Sequence, residues 1–156
     1  MSQIDGNVKG FQGSAPGEYP NARPLSLFGP DYMLITSNTL DQLPLATGDF
    51  VYFDKPLASH GTALTDDIIS GFVHVNETGT YIVTAAILAQ SQARCQLIAG
   101  ATRIVLVGPQ AMVSVAIPLT KGDDIKLKNV GPSAVYYNSA VNFPNIYSSY
   151  LHAVKL

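Results

Sequence analysis

The chain has 156 residues and a mass of 16.6 kDa, which is the size of one domain rather than two. Hydrophobic residues make up 47% of it and charged residues only 13%, about half the usual share, which excludes a disordered acidic or basic protein. The net charge of -2 at pH 7 cannot neutralise a run of phosphates, so nucleic acid is not expected as a partner. With so little charge to cover its surface, the chain is expected to associate with copies of itself.

The first segment, residues 1–23, differs in composition from the rest of the chain. Glycine and proline recur in it, with few large aliphatic residues between them. Such a segment predicts an arm or linker, which either hangs loose or packs along a neighbouring subunit. It has no basic start and no apolar stretch, so no secretory signal peptide is predicted. Residues 24–156 are predicted to form the folded domain.

From residue 24 onward the sequence predicts an all-β domain. Short runs rich in Val, Ile, Tyr, Phe and Thr alternate with Gly, Pro, Asn and Asp, and no window of ten residues has clean helical periodicity. Strands are predicted over 24–28, 32–37, 49–53, 70–75, 79–90, 94–99, 103–107, 112–119, 124–129, 134–138 and 148–155. Strands at such turn-separated intervals are typical of a sandwich or barrel.

Two strand patterns predict which face is covered. In residues 112–119 the odd positions are apolar and are expected to point inward, and the pattern returns after the turn, where Lys126 and Lys128 are expected to face solvent. The inward positions are Val113, Val115, Ile117, Leu119, Ile125 and Leu127. Residues 79–90 are apolar on both faces, which predicts that a second subunit covers the outer one.

The longest apolar run, 81–89, is far shorter than the roughly 20 residues of a membrane-spanning helix, so no membrane span is predicted.

Residues suited to chemistry are few. The single cysteine, Cys95, excludes an internal disulfide and a cysteine-based zinc site, and its apolar surroundings predict a buried small hydrophobic residue. His60, His74 and His152 lack metal-ligand spacing, which predicts structural or exposed roles. The sequence has no nucleophile elbow and no glycine-rich phosphate loop.

The adjacent acids Asp66–Asp67 and Asp123–Asp124 are interpreted as solvated turn charges. Neighbouring residues of a strand project to opposite faces, so such pairs do not converge on one proton or one ion. A surface Ca²⁺ bound with nearby carbonyl groups is the alternative. No cofactor is predicted.

Aromatic residues are concentrated in the last fifth of the chain. Tyrosine combines a large contact area with a polar tip, so these side chains suit a protein interface, although filling the ends of a sandwich would explain them equally well. They are Tyr136, Tyr137, Phe143, Tyr147 and Tyr150.

Several segments in a fixed order resemble a known family. They are DFVYFD (49–54), HGTAL (60–64), GFVHVNETGTYIV (71–83), residues 113–119 with KGDDIKL (121–127), and YSSYL (147–151). Together, over roughly residues 45–156, they resemble the complement C1q and tumour necrosis factor (TNF) type jelly roll. Within it they most resemble the bacterial BclA-type head domain of collagen-like spore-surface glycoproteins. Ser149 departs from the complement branch, where glycine is usual.

The resemblance implies a ten-stranded jelly-roll sandwich that assembles as a compact homotrimer around an apolar axis. The residues it implies at the trimer interface are Tyr136, Tyr147, Tyr150 and Leu151, and Tyr81 is implied to lie inside the sandwich.

Two classes of function are compatible with the sequence. The first is a non-enzymatic trimeric head on a spore, cell or virion surface that presents loops to an unknown receptor, protein or glycan; a phage or virus spike is its close alternative. The second is a β-sandwich hydrolase using Asp66, Asp67 or Asp123 with a histidine. It predicts a concave pocket with two carboxylates, or a histidine and a carboxylate, in mutual reach.

Overall fold

The structure, a computed structural model, describes residues 29–37, 44–89, 92–135 and 149–156. These residues form ten strands and no helix. The strands are β1 (Tyr32–Thr36), β2 (Lys55–His60), β3 (Leu64–Asp67), β4 (Phe72–Val75), β5 (Gly79–Leu88), β6 (Arg94–Ala99), β7 (Thr102–Val107), β8 (Gln110–Leu119), β9 (Asp124–Asn129) and β10 (Tyr150–Lys155).

The strands form two antiparallel sheets of five. The first sheet has the order β2-β1-β10-β5-β8, and the second sheet has the order β3-β4-β9-β6-β7. Strands that are distant in sequence therefore lie side by side, as where β1 pairs with β10. This arrangement is the ten-stranded jelly-roll sandwich that the sequence predicts, and the prediction of an all-β fold is confirmed.

The hydrophobic core lies between the two sheets. Because side chains alternate along a strand, every second residue points into it. Tyr81 is fully buried there, as the resemblance implies, and its hydroxyl donates a hydrogen bond to the carbonyl oxygen of Glu77 at 2.6 Å. The expected inward positions of β8 and β9 are also confirmed: Ile117, Leu119, Ile125 and Leu127 are buried, and Val113 and Val115 pack against the core from its edge.

Some predicted strands differ from the observed ones. Residues 49–53 form no regular strand, although Val51 donates a backbone hydrogen bond to Leu127 at 2.8 Å and Phe50 bridges to Lys128. Strands β2 and β3 are absent from the prediction. The predicted strand 24–28, most of 134–138 and the predicted arm, 1–23, lie outside the described residues.

A helix long and apolar enough to cross a membrane does not occur in the part of the chain that the structure describes.

Candidate functional site

The outward side of the first sheet carries a continuous uncharged surface, which we call the uncharged face. Its register places directly paired residues of neighbouring strands on the same side of the sheet. On β10, for example, His152 lies between Leu34 of β1 and Thr84 of β5. The face consists of Tyr32, Leu34, Tyr150, His152, Val154, Ile82, Thr84, Ala86, Met112, Ser114 and Ala116. None of these residues is Asp, Glu, Lys or Arg.

The uncharged face has both a protruding side chain and a hollow. Met112 is 66% exposed and Ile82 is 38% exposed, although both are large hydrophobic residues. Ala86 is only 3% exposed and lies at a hollow of about 240 Å³ that Leu88, Met112 and Tyr150 also line. A protruding side chain and a small apolar hollow on one surface are typical of packing against another molecule.

Three hydroxyl groups on the uncharged face are partnered within it. The hydroxyls of Thr84 and Ser114 are 2.8 Å apart, and the Tyr150 hydroxyl donates to Met112 Sδ at 3.3 Å. The Tyr32 ring meets that of His152 edge-on, with centroids 6.5 Å apart. Since the three hydroxyls already have neutral partners, covering them costs little desolvation.

The predicted interface residues do not all lie on the uncharged face. Tyr150 lies on the uncharged face. Leu151, the next residue, points to the opposite side of β10 and is buried in the core with 2% exposure, so its side chain does not reach that face. Tyr136 and Tyr147 lie outside the described residues.

A second cluster, which the sequence analysis missed, lies on the outward side of the second sheet. His74 of β4 stands between Asp67 of β3 and Asp124 of β9. Its Nε2 atom is 3.1 Å from Asp67 Oδ2, and its Nδ1 atom is hydrogen-bonded to Asp124 Oδ1. Asp67 and Asp124 are 57 residues apart in the chain, so only the strand register, which sequence spacing does not give, shows that they share one histidine.

The pKa values of this cluster are shifted by its hydrogen bonds. Partial burial acts to lower the pKa of His74, but the hydrogen bonds and charges of Asp67 and Asp124 outweigh it and raise that pKa above its usual value. The Ser70 hydroxyl, the backbone N–H of Ile69 and His74 together hold the pKa of Asp67 well below its usual range. When His74 is protonated, the cluster is a charged bridge across three strands.

The geometry of the His74 cluster does not suit nucleophilic catalysis. Ser70 Oγ donates to Asp67 Oδ2 at 2.7 Å, so this hydroxyl is bonded to a carboxylate rather than to the histidine that would act as its base. Both imidazole nitrogens already face carboxylates. Asp123, which the hydrolase hypothesis includes, instead accepts the backbone N–H of Thr120 at 2.8 Å.

A hollow of about 790 Å³ at the end of the first sheet contains two carboxylates, and both have structural partners. Asp31 Oδ2 accepts the backbone N–H groups of Thr62 and Ala63 at 3.0 and 2.9 Å. Glu77 forms an ion pair with Lys155 at 2.7 Å. These bonds tie the loop after β2 to the start of β1, and the N-terminal end of β5 to β10.

Within the described ranges, no group of three or more His, Cys, Asp and Glu side chains is arranged to hold a metal ion. In the His74 cluster the reason is geometric, because the two carboxylates lie at opposite nitrogens of one ring and do not converge on a point. Cys95 is fully buried, as expected, and burial raises the pKa of its thiol to about 11.

Comparison with solved structures establishes the fold. Murine APRIL at pH 5.0 superposes with a TM-score of 0.59 at 15% sequence identity, covering 81% of this chain and 99% of that one. The PRD1 vertex protein P5 gives 0.57 at 16% identity, covering 81% and 96%. Eiger TNF from S. frugiperda gives 0.53 at 18% identity, covering 81% and 93%. The chain therefore has the TNF-like jelly roll that its sequence resembles.

Comparisons at the level of sequence give no match, either to a protein-family model or to a curated protein.

Proposed function

We propose that this protein is a non-enzymatic head domain that assembles as a homotrimer through the uncharged face and displays its remaining surface for attachment or recognition. The observation that supports it most is the face itself. Outward positions on four adjacent strands carry no charged side chain, whereas four cations lie on the outward side of the second sheet.

The assignment to self-association follows from the chemistry of the face. A lone domain with 13% charged residues would be expected to place them over its whole surface, and this one leaves the outward side of β1, β10, β5 and β8 without any. A neighbouring copy brings an equally uncharged surface, so covering the face buries no unpaired charge. Three copies, rather than two, follow from the C1q and TNF type that the sequence resembles.

The setting of the head is part of the proposal. The segments at 71–83 and 121–127 support a BclA-type head on a spore surface. The likeness to the PRD1 vertex protein P5, almost the whole of which is covered, supports a virion spike instead. Both settings place the protein outside a cell or on the surface of a particle. Neither requires a cofactor.

Molecular mass in solution tests the assembly. Light scattering or native mass spectrometry at micromolar concentration is expected to give about 50 kDa, three times the 16.6 kDa of one chain. A species of 16.6 kDa across the accessible concentration range would refute the proposal.

A charge placed on the uncharged face is expected to prevent assembly. Ile82→Glu and Met112→Glu each put a carboxylate on a partly exposed position of the face, where three copies would bring three such charges into an interface without cations. Both variants should be folded monomers by light scattering and circular dichroism.

Val107→Glu is the matched control. Val107 is 53% exposed but lies on the second sheet, so this variant should remain trimeric. Loss of the trimer in all three variants, or in none, would contradict the assignment of the interface to the uncharged face.

A further inference from the structure

The outward side of the second sheet carries a surface of the opposite kind, which we call the basic face. On β6 its residues are Arg94, Gln96 and Ile98; on β7 they are Arg103, Val105 and Val107; and on β9 they are Lys126 and Lys128. The register aligns them in rows across the sheet. Lys126 lies beside Ile98, which lies beside Arg103, and the next row is Lys128, Gln96 and Val105.

The basic face is positive although the chain as a whole is not. It holds four of the nine lysines and arginines, while the net charge is -2. The carboxylates at its border include those of Asp67 and Asp124, which are both bonded to His74, and that of Asp123, which lies beside Gly100 in the turn between β6 and β7. Among the described residues, none of the four cations has a carboxylate oxygen within the 4.0 Å of an ion pair. Their charge is therefore free to act on a ligand.

The two lysines are held in place by aromatic rings. Lys126 Nζ lies 4.6 Å from the centroid of Phe72 and 5.3 Å from that of Phe50, and Lys128 Nζ lies 5.6 Å from the centroid of Phe50. Such cation–π contacts restrict long side chains without neutralising them. The entropy that a flexible lysine loses on binding is thereby reduced.

The cations are spread out rather than gathered at one point. Lys126 and Lys128 are two residues apart on one strand, about 7 Å, and Lys126 and Arg103 are two strands apart, about 10 Å. A single phosphate or carboxylate cannot reach all of them, whereas a chain with repeated anionic groups can. The basic face therefore fits a polymer with regularly spaced negative charges.

The residues between the cations indicate which polymer. Val105 and Val107 are 43% and 53% exposed, and Gln96 lies between Val105 and Lys128. Apolar side chains beside an amide suit the C–H faces and hydroxyls of sugar rings. The rings of Phe50 and Phe72 lie under the lysine ammoniums, which leaves them poorly placed to stack on nucleic-acid bases.

We propose that the basic face binds an acidic polysaccharide, whose sulfate or carboxylate groups pair with Lys126, Lys128, Arg103 and Arg94 while its sugar rings lie on Val105 and Val107. This inference deepens the proposed function by naming the class of ligand. It rests on the trimer only for valency, since three basic faces on one particle would multiply the affinity for a long chain.

Dextran sulfate is the probe, with uncharged dextran as its backbone control. At pH 7.5 and 50 mM salt, the wild-type protein should bind dextran sulfate and not dextran, with an affinity that falls as salt is added. The double variant Lys126→Gln, Lys128→Gln should weaken binding about tenfold or more. The double variant Lys55→Gln, Lys121→Gln, which removes two cations elsewhere, should change it less than about twofold.

A gain of function gives a second arm that keeps the four cations and both valines. Gln96→Lys adds a fifth cation between Lys128 and Val105 on the basic face and should tighten binding. Unchanged affinity in this variant would count against the site. Equal losses of affinity in the two double variants would mean that net charge alone explains the binding, and would overturn the proposal. An absence of wild-type binding would overturn it too.

Two further measurements separate the alternatives. Polyglutamate that binds as tightly as dextran sulfate would overturn the assignment to a polysaccharide in favour of an acidic peptide. Light scattering on the same samples gives the oligomeric state. A monomer that binds dextran sulfate through Lys126 and Lys128 would refute the trimer and leave this inference standing, and a trimer that does not bind it would do the reverse.

Discussion

The imidazole of His74 joins three strands through charge. When it is protonated, it donates to Asp67 on one side and to Asp124 on the other, so β3, β4 and β9 are linked by two charge-assisted hydrogen bonds. When it is neutral, one of the two ring nitrogens has no proton to donate, and two carboxylates face an uncharged ring.

The stability of the fold should therefore depend on the protonation of His74. Its pKa is raised in the folded state, so its contribution is complete below the unfolded value near 6.5 and is lost as pH rises through the folded value. The groups are partly exposed, and screening by solvent limits the effect to about 1 kcal/mol or less. Urea unfolding at fixed protein concentration should show the wild-type advantage over His74→Gln shrinking between pH 6 and pH 8.5.

His60→Gln is the control for this measurement. His60 lies on β2, where its Nδ1 atom faces the carbonyl oxygen of Pro30 at 3.1 Å. Its removal should leave the pH dependence like that of the wild type. If His74→Gln retained the full pH dependence, the bridge would contribute nothing measurable. Comparing variants at each pH also cancels the contribution of Cys95, whose pKa is raised to about 11 by burial.

Ser149 shows why a resemblance predicts a fold more readily than it predicts the role of a single residue. It stands where the complement branch has glycine, and here it is fully buried. Its Oγ accepts the backbone N–H of Leu88 at 2.9 Å and donates to the Leu88 carbonyl oxygen at 3.2 Å. The hydroxyl thereby joins the start of β10 to the end of β5. This role depends on a contact 61 residues away, which the local sequence does not contain.

At the scale of elements, the turn between β3 and β4 depends on a close approach at Gly71. Its φ of +77° lies in the left-handed region, and a Cβ placed there would be 2.6 Å from Tyr52 Cδ1 and 3.0 Å from Tyr52 Cα. Its carbonyl oxygen also accepts the backbone N–H of Phe53 at 3.1 Å. The turn and the segment at 52–53 are therefore packed backbone against backbone.

Gly71→Ala should destabilise the protein more than the backbone conformation alone explains. The left-handed conformation costs roughly 1 kcal/mol for alanine, and the contact with Tyr52 should bring the total to about 3 kcal/mol. Gly122→Ala is the control, because Gly122 has a φ of +100° and nothing within 4 Å of its added Cβ. A urea titration of both variants measures the difference. Equal losses at the two glycines would mean that the turn relaxes away from Tyr52.

The strands that the sequence predicts well are those buried on at least one side. β6 and β9 begin and end at the predicted residues, because polar and apolar side chains alternate over the first five residues of β9 and the first four of β6. The two missed strands, β2 and β3, are edge strands with the sequences KPLASH and LTDD. An edge strand has one partner and much solvent, so proline, serine and aspartate are tolerated and the apolar pattern disappears.

At the scale of the whole molecule, low charge in the sequence predicts association but does not locate it. The structure shows that the two sheets differ, since the first has no charged residue on the outward side of β1, β10, β5 and β8 and the second carries Arg94, Arg103, Lys126 and Lys128 on its outward side. The apolar outer side of residues 79–90 points to β5, which lies within the uncharged face. The partners of that strand, β8 and β10, follow only from the topology.

Linkage between folding and assembly gives a test at this scale that needs no mutation. If the folded chains are stabilised by association, the free energy of unfolding includes the binding of neighbours and rises with protein concentration. A tenfold increase in concentration should then raise the thermal midpoint by a few degrees for a domain of this size. Ile82→Glu, expected to be monomeric, should melt at the same temperature across that range. A wild-type midpoint that is independent of concentration would mean that the uncharged face stays open in solution, and its hydrophobic residues would then require another partner.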